Sequence, residues 1–276
     1  LKIFLMMKYK AFSLTTENYV ANLAFNQPEK ANALDTPDWI EMQQIFESLS
    51  NDKNVRVIIL SGNGKHFCAG INLAALMGVQ QNAQTSCEAR KREEIREFIY
   101  LLQNTITSIE KCKKPVLAAI HNGCIGGAVD LIAACDMRYC TQDAYFTIKE
   151  ITLGLVADIG TLQRLPKIIQ PGIVAEMAYT GRKVYGPEAA QIGLVNKAYK
   201  DKAEMMEAVN NIAKQIAEKS PLCIRGTKEV LLYQRDHSVE DGLQYIANYN
   251  AAMLLSKDIQ EAMSANFEKR TAIFED

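Results

Sequence analysis

The stretch that most limits what this chain can fold into is residues 116 to 136, VLAAIHNGCIGGAVDLIAACD. Behind Pro115 it opens with an unbroken apolar run, Val116 to Ile120, which reads as a strand. Two adjacent glycines, Gly126 and Gly127, then precede a short helical stretch through Ala134. Adjacent glycines at a helix start let backbone approach a ligand closely and leave N–H groups pointing outward. The helix dipole favours negative charge there, so a developing oxyanion could sit on those groups. Tight packing of strand on helix accounts for the glycine pair as well. Asp130 follows, one turn into an otherwise apolar helix. A buried carboxylate is costly unless it is paired or functional. Arg138 is a possible ion-pair partner, and Asp136 competes for it.

The surrounding chain repeats the strand-then-helix theme. Tyr19 to Phe25 reads as a strand, residues 26 to 30 as a turn, and a helix capped by Asp35 or Thr36, with Pro37 near its start, runs to about Leu49. Val55 to Leu60 is a continuous β-branched run, hence a buried strand. A charged amphipathic helix fits Glu88 to Cys112, and strands follow near Met137 to Cys140 and Tyr145 to Ile148. Beyond about residue 160 the strand signal fades. Short helices are expected over 161 to 167, 172 to 180 and 187 to 192, and longer ones over 201 to 219, 221 to 235, 239 to 254 and 258 to 269. The class is α/β, with a helical C-terminal part that no flexible linker sets apart. Apolar positions on both sides of those helices suit packing on another subunit, although core packing gives the same pattern.

Two further acids share the setting of Asp130. Glu150 closes the strand-like segment AYFTIKE, and Asp158 lies in the glycine-flanked apolar loop GLVADIG, where it could cap a helix starting near Thr161. Three acids in apolar settings within about thirty residues suit acid–base chemistry, because such settings raise carboxyl pKa values. Upstream, GNGKHFCAGINLAAL (62 to 76) places a glycine-rich turn after a strand and before a short helix near Asn72. The N–H groups of Gly70, Ile71 and Asn72 could face a ligand. His66 and His121 read as structural or rim residues.

Composition removes several other functions. With 31 basic and 32 acidic residues there is no electrostatic footprint for nucleic acid. No Walker A pattern, Gly-x-Gly-x-x-Gly fingerprint or Gly-x-Ser-x-Gly elbow occurs. Seven cysteines with no Cys-x-x-Cys pair, and three histidines, argue against a zinc site and for buried free thiols in a reducing compartment. The apolar run Ile3 to Met7 is too short for a signal-peptide core or a membrane span, and the ending AIFED carries no Ser-Lys-Leu-type peroxisomal address. A bacterial cytoplasm is the expected location, with an organellar matrix left open.

Taken jointly and in order, NQPEKANAL (26 to 34), SGNGKHFCAGINL (61 to 73), the 115 to 140 block and the run ending GTLQRLPK (160 to 167) resemble the enoyl-CoA hydratase/isomerase, or crotonase, superfamily. Within it, the acids at 130, 150 and 158 resemble the branch that isomerises dienoyl thioesters. Hydratases of the family carry Glu at the first two positions and Gly at the third. Ala128 departs from that branch, where a third glycine is usual.

The resemblance implies a spiral of β-β-α units with a C-terminal helical trimerisation region, divided here as 1–200 for the core and acyl-CoA site and 201–276 for the helices, in one structural unit. It implies conversion of 3,5-dienoyl-CoA to 2,4-dienoyl-CoA in β-oxidation of unsaturated fatty acids. The alternative is a 2-enoyl-CoA hydratase or Δ3-Δ2-enoyl-CoA isomerase. Asp130, Glu150 and Asp158 would be catalytic, and the backbone N–H groups of Ile71 and Gly127 would form the oxyanion hole. Lys30, Ala31, Ala69, Gly70, Asn72, Leu73, Ala74 and Ala128 would line the substrate and CoA side. No metal and no cofactor beyond the CoA of the substrate is implied, no nucleic acid or membrane partner, and a homotrimer or homohexamer.

Overall fold

A computed structural model of the chain describes residues 9–74 and 87–276. The run from Ile3 to Met7 and residues 75–86 lie outside the described residues.

Two sheets organise the fold. The larger runs in the order β1 (Phe12–Glu17), β2 (Val20–Phe25), β3 (Val57–Gly62), β4 (Val116–Ile120), β6 (Met137–Thr141) and β9 (Lys197–Tyr199). Its β1–β2 pair is antiparallel and the other pairs are parallel. The smaller sheet holds β5 (Gly123–Ile125), β7 (Tyr145–Thr147) and β8 (Val184–Tyr185) in that order. Consecutive strands alternate between sheets: β4 then β5, β6 then β7. A single parallel bridge, Cys68 to Cys124, joins the segment after β3 to the smaller sheet.

Helices close each turn. They are α1 (Thr36–Asn51), α2 (Glu88–Lys111), α3 (Gly127–Ala133), α4 (Thr161–Arg164), α5 (Pro171–Thr180), α6 (Gly186–Gln191), α7 (Lys202–Ala217), α8 (Pro221–Gln234), α9 (Val239–Met253) and α10 (Lys257–Glu268).

The unbroken apolar runs have the expected cause: both faces of β3 and β4 are buried. Side chains alternate across a strand. Ile58, Leu60, Val116, Ala118 and Ile120 face α1 and α3, within a core built on Trp39, Phe46 and Leu131. Val57, Ile59, Leu117 and Ala119 face the opposite way, onto Met205, Val209 and Ala213 of α7. The first C-terminal helix is thus one wall of the large sheet. Burying Val57, Ile59 and Leu117 contributes roughly 5–9 kcal/mol before entropy is counted.

Several local expectations are corrected. Strands do occur after residue 160: β8 and β9 are two and three residues long, too short to show a period of two. Glu150 does not close a strand. β7 ends at Thr147, and Glu150 begins a 3-10 turn, Glu150–Leu153. Asp158 caps nothing, because the residue before α4 is Gly160. Arg138 pairs with neither acid. It donates to the carbonyls of Leu194 (2.8 Å), Cys135 (2.7 Å) and Ile132 (3.3 Å), at the end of α3 and beyond β8. Asp136 instead accepts from the Val116 N–H and from Lys228, both at 2.7 Å.

Candidate active site

Residues 68–72 are stitched into the core through their main chain. Cys68 N–H donates to Gly123 O (3.1 Å), Ile125 N–H to Cys68 O (3.1 Å) and Ala69 N–H to Ala31 O (3.0 Å). Leu34 then forms a one-residue parallel bridge with Ile71, donating to Gly70 O (2.8 Å) and accepting from Asn72 N–H (2.9 Å). That pattern uses the groups on either side of Ile71 and turns its own N–H away from the bridge. Gly70 N–H is spent on Cys68 Sγ at 3.3 Å. Of the three amides expected to face a ligand, only that of Ile71 has no hydrogen-bond partner among the described residues.

The second amide comes from the start of α3. Gly127 is its first residue, so its N–H has no partner within the helix. Gly126 precedes it at φ 54°, ψ −125°, a conformation that side chains exclude. The two amide-bearing segments touch: a Cβ on Gly70 would stand 2.8 Å from Gly127 N and 2.5 Å from Ile125 O. Gly70, at φ 81°, is therefore required both by its own conformation and by this approach. Trp39 of α1 lies under Gly127, where a Cβ would meet its ring at 3.3 Å. Ala128 is wholly buried in the same helix.

The three acids sit on three elements and are graded by burial. Asp130 on α3 has no exposed surface. Its Oδ1 accepts the Thr161 N–H at 2.5 Å, and its Oδ2 has no partner among the described residues. Burial first, and then the nearby Glu150 carboxyl, push it up to about 7. Glu150 is half-buried, and its Oε2 is likewise unpartnered. Burial and then Asp158 raise it above the usual carboxylate range, with its own backbone opposing. A Cβ on Gly126 would come within 3.2 Å of Glu150 Oε1, so this carboxyl stands at the amide end of α3.

Asp158 departs from the apolar setting expected of it. Ala157 and Ile159 beside it are buried, but Asp158 is exposed and lines an outer cleft of ≈ 510 Å³. Partial shielding of its carboxyl still raises it, and it in turn raises both Glu150 and Asp130. Asp158 thus lies within electrostatic reach of the buried pair while open to solvent.

Lys30 Nζ and Asn72 Nδ2 both bind the Asp35 carboxylate, at 2.8 and 2.7 Å, and this pairing raises the lysine and lowers the acid. Ala31 and Asn32 both adopt positive φ. The Asn32 side chain donates to the carbonyls of Asn63, His66 and Phe67, which fixes the 26–34 turn against the 62–68 turn. Leu73 and Ala74 are exposed. His66 is half-buried, and His121 Nε2 donates to Gly64 O (2.9 Å), with burial lowering its pKa; neither ring is hydrogen-bonded to any of the three carboxyls.

Three residues at this site carried no sequence signal. Thr161 supplies the N–H that holds Asp130, Gln103 donates to the Asp158 carbonyl at 2.6 Å, and Trp39 floors the Gly127 amide. Thr161 acts through its backbone, Trp39 through its ring face and Gln103 through a side-chain amide that reaches across 55 positions, none of which residue type alone reveals.

Known proteins share this fold and much of this sequence. Residues 15–276 match the family model described as enoyl-CoA hydratase/isomerase. The chain is 47% identical over 273 residues to the peroxisomal Delta(3,5)-Delta(2,4)-dienoyl-CoA isomerase of Arabidopsis thaliana, covering 98% of each. It is 44% identical to the mitochondrial enzyme of that name from Mus musculus, covering 95% of this chain and 81% of the relative. The crystal structure of an enoyl-CoA hydratase from Bacillus anthracis superposes with a TM-score of 0.86 at 29% identity, covering 96% of this chain and 99% of that one. With the fold and nearly the full length of the sequence in common, the match is one of architecture as well as sequence, and the chain belongs to the enoyl-CoA hydratase/isomerase family.

Proposed function

We propose that this chain isomerises 3,5-dienoyl-CoA to 2,4-dienoyl-CoA in the breakdown of unsaturated fatty acids. The observation that carries this reading is the third carboxyl: Asp158 stands near enough to Glu150 and Asp130 to raise both. The names of the Arabidopsis and mouse relatives support it.

The reaction removes a proton at C2 and delivers one at C6. Between these events negative charge spreads from the thioester oxygen along the conjugated chain. The N–H groups of Ile71 and Gly127 would hold the oxygen end, fixed in place before reaction and helped by the start of α3. Glu150 and Asp158 would work at opposite ends of the diene, one taking the C2 proton and the other supplying the C6 proton. One must be ionised and the other protonated, and raised carboxyls suit that division near neutral pH. Asp130, behind Glu150, would tune it, the three titrating as a coupled set. Protons move and no net electrons do, so the chemistry calls for no redox cofactor or metal.

Lys30, Ala31, Ala69, Gly70 and Asn72 would meet the CoA side, with Leu73, Ala74 and Ala128 bordering the thioester. Residues 1–200 would carry this site and 201–276 would mediate a homotrimer or homohexamer, supported by exposed Leu231, Leu243, Leu254 and Phe267 on the C-terminal helices. Among the described residues no helix is long and apolar enough to cross a membrane. We place the chain in a reducing compartment, a bacterial cytoplasm or an organellar matrix of the kind named for its relatives.

The direct experiment supplies purified protein with 3,5-octadienoyl-CoA and follows the conjugated product in the ultraviolet. Asp158→Asn is expected to lower turnover by roughly a thousandfold. Wild-type turnover in that variant, or faster hydration of crotonyl-CoA than diene isomerisation in the parent, would remove the third carboxyl from the reaction.

A further inference from the structure

One stripe of α2 grips the segment that carries Asp158. Gln103, Ile106, Thr107 and Glu110 recur at helical spacing and so share a face. Gln103 Nε2 donates to the Asp158 carbonyl at 2.6 Å. Only the amide nitrogen of this side chain can face a carbonyl oxygen, so the contact also fixes which way the amide points. Ile106 packs near Gly160, where a Cβ would lie 3.7 Å from its Cγ2. Thr107 and Glu110 accept from Arg164 Nη2 at 3.3 and 2.9 Å. The Arg164 guanidinium in turn lies against the α-carbon of Gly160, where a Cβ would come within 2.0 Å of Nη1.

From Asp158 to Arg164 the chain is therefore held at its first residue, at its glycine hinge and at its last. Between these points Thr161 binds Asp130. The clamp needs no acyl-CoA contact. It leaves the Asp158 carboxyl free, because Gln103 takes only the backbone oxygen. From Glu150 to Leu155 the chain is held chiefly by its own turn, with Leu155 N–H donating to Glu150 O at 3.0 Å; Ile151, Leu153, Leu155 and Val156 are exposed, and Gly154 sits in the left-handed region with nothing within 4 Å of a built Cβ.

We propose that Gln103 is a positioning residue for the third carboxyl: its amide, donated to the Asp158 main chain, fixes where that side chain meets the substrate. The inference rests on the reading of Asp158 as an acid–base group. Loss of the bond frees a carboxyl whose placement sets the proton-transfer distance, and a misplacement of about 1 Å can cost as much as a hundredfold in rate.

The test is a double-mutant cycle between Gln103 and Asp158, read in single turnovers with enzyme in excess so that slow variants remain measurable. Gln103→Leu is expected to lower the dienoyl rate at saturation about tenfold, with the half-saturating concentration and the melting temperature unchanged. Gln103→Glu, which keeps the length and loses the donor, should behave alike. Added to Asp158→Asn, Gln103→Leu should cost nothing further. An equal loss in both backgrounds makes Gln103 a structural residue only and overturns the proposal, as does a wild-type rate in both Gln103 variants. The Asp158→Asn arm by itself reports on the acid–base reading, so failure of that reading is seen separately from failure of the clamp.

Discussion

The two halves of the candidate site are built by opposite means. The amide half, residues 68–72 and 126–128, is main chain woven into the core, and nearly every neighbouring N–H and carbonyl is already committed. The carboxyl half hangs on a short helix, a 3-10 turn and a loop, and its acids run from wholly buried Asp130 to exposed Asp158. A group that must hold a developing charge gains from rigidity, since it then needs no reorganisation during reaction. Groups that must exchange protons gain from graded environments, which add to the splitting that coupled carboxyls already show. Exposure at one end also leaves Asp158 in contact with water while Asp130 stays dry.

If that contrast is right, one added methyl should act very differently in the two halves. Gly70→Ala puts a Cβ 2.5 Å from Ile125 O and 2.8 Å from Gly127 N, both main-chain atoms that cannot step aside. It is expected to cost about 3 kcal/mol or more and at least a hundredfold in turnover. Gly154→Ala also places alanine at positive φ, but nothing lies within 4 Å of the new Cβ. It should cost about 1 kcal/mol and leave turnover within a factor of two. Urea unfolding and the dienoyl assay on both variants decide the matter. Equal losses of turnover would erase the distinction between a rigid half and a tolerant one.

The buried end of the gradient makes a prediction about pH. Asp130 ionises near 3.8 when unfolded and at about 7 in the fold. Between those values the folded chain holds a proton that the unfolded chain has lost, so stability falls as pH rises across that window. Below the window both states are protonated and the effect vanishes; above it the cost of the buried charge is fully present, about 4 kcal/mol at most. Asp130→Asn keeps an oxygen for the Thr161 N–H and removes the charge. Its melting temperature relative to the parent should therefore be several degrees higher at pH 8 than at pH 5, while turnover drops roughly tenfold to a hundredfold. A difference in melting temperature that is the same at both pH values would falsify the burial account of Asp130.

How far the sequence disclosed all this follows the same division. The amide half was legible because its demands are local: an unbroken apolar run, a glycine pair and a helix start within a dozen residues. Joint motifs in order then carried the family resemblance and all three acids. What stayed hidden was long-range. The bridge between Leu34 and Ile71, which selects one amide out of three, depends on register across nearly forty residues. Gln103 meets Asp158 across 55 positions, and its amide looks like any surface polar group until the fold brings it there. The exposure of Asp158 is hidden in the sequence because its neighbours Ala157 and Ile159 are apolar and buried, and a loop need not alternate. The 3-10 turn at Glu150 reads as strand because Ile148 continues the pattern of β7 and no glycine, proline or asparagine marks the change before Glu150.

The smallest expected effect concerns Lys30, on the proposed CoA side of the amide half. Lys30 is tied to Asp35 at 2.8 Å, with both side chains more than a third exposed, and Asp35 also takes Asn72. An exposed pair of this kind contributes under about 1 kcal/mol, so Lys30→Ala should move the melting temperature little. Binding is another matter. A CoA phosphate arriving at this face would compete with Asp35 for one positive charge. The variant is then expected to raise KM for the dienoyl thioester a few-fold at unchanged kcat. Because exposed charges are screened within about a Debye length, the parent's KM should rise with added salt more steeply than the variant's. Equal salt slopes would mean that Lys30 serves only to hold Asp35 and the 26–34 turn. The amide half would then meet its ligand through main chain alone, and the contrast with the carboxyl half would be sharper than drawn above.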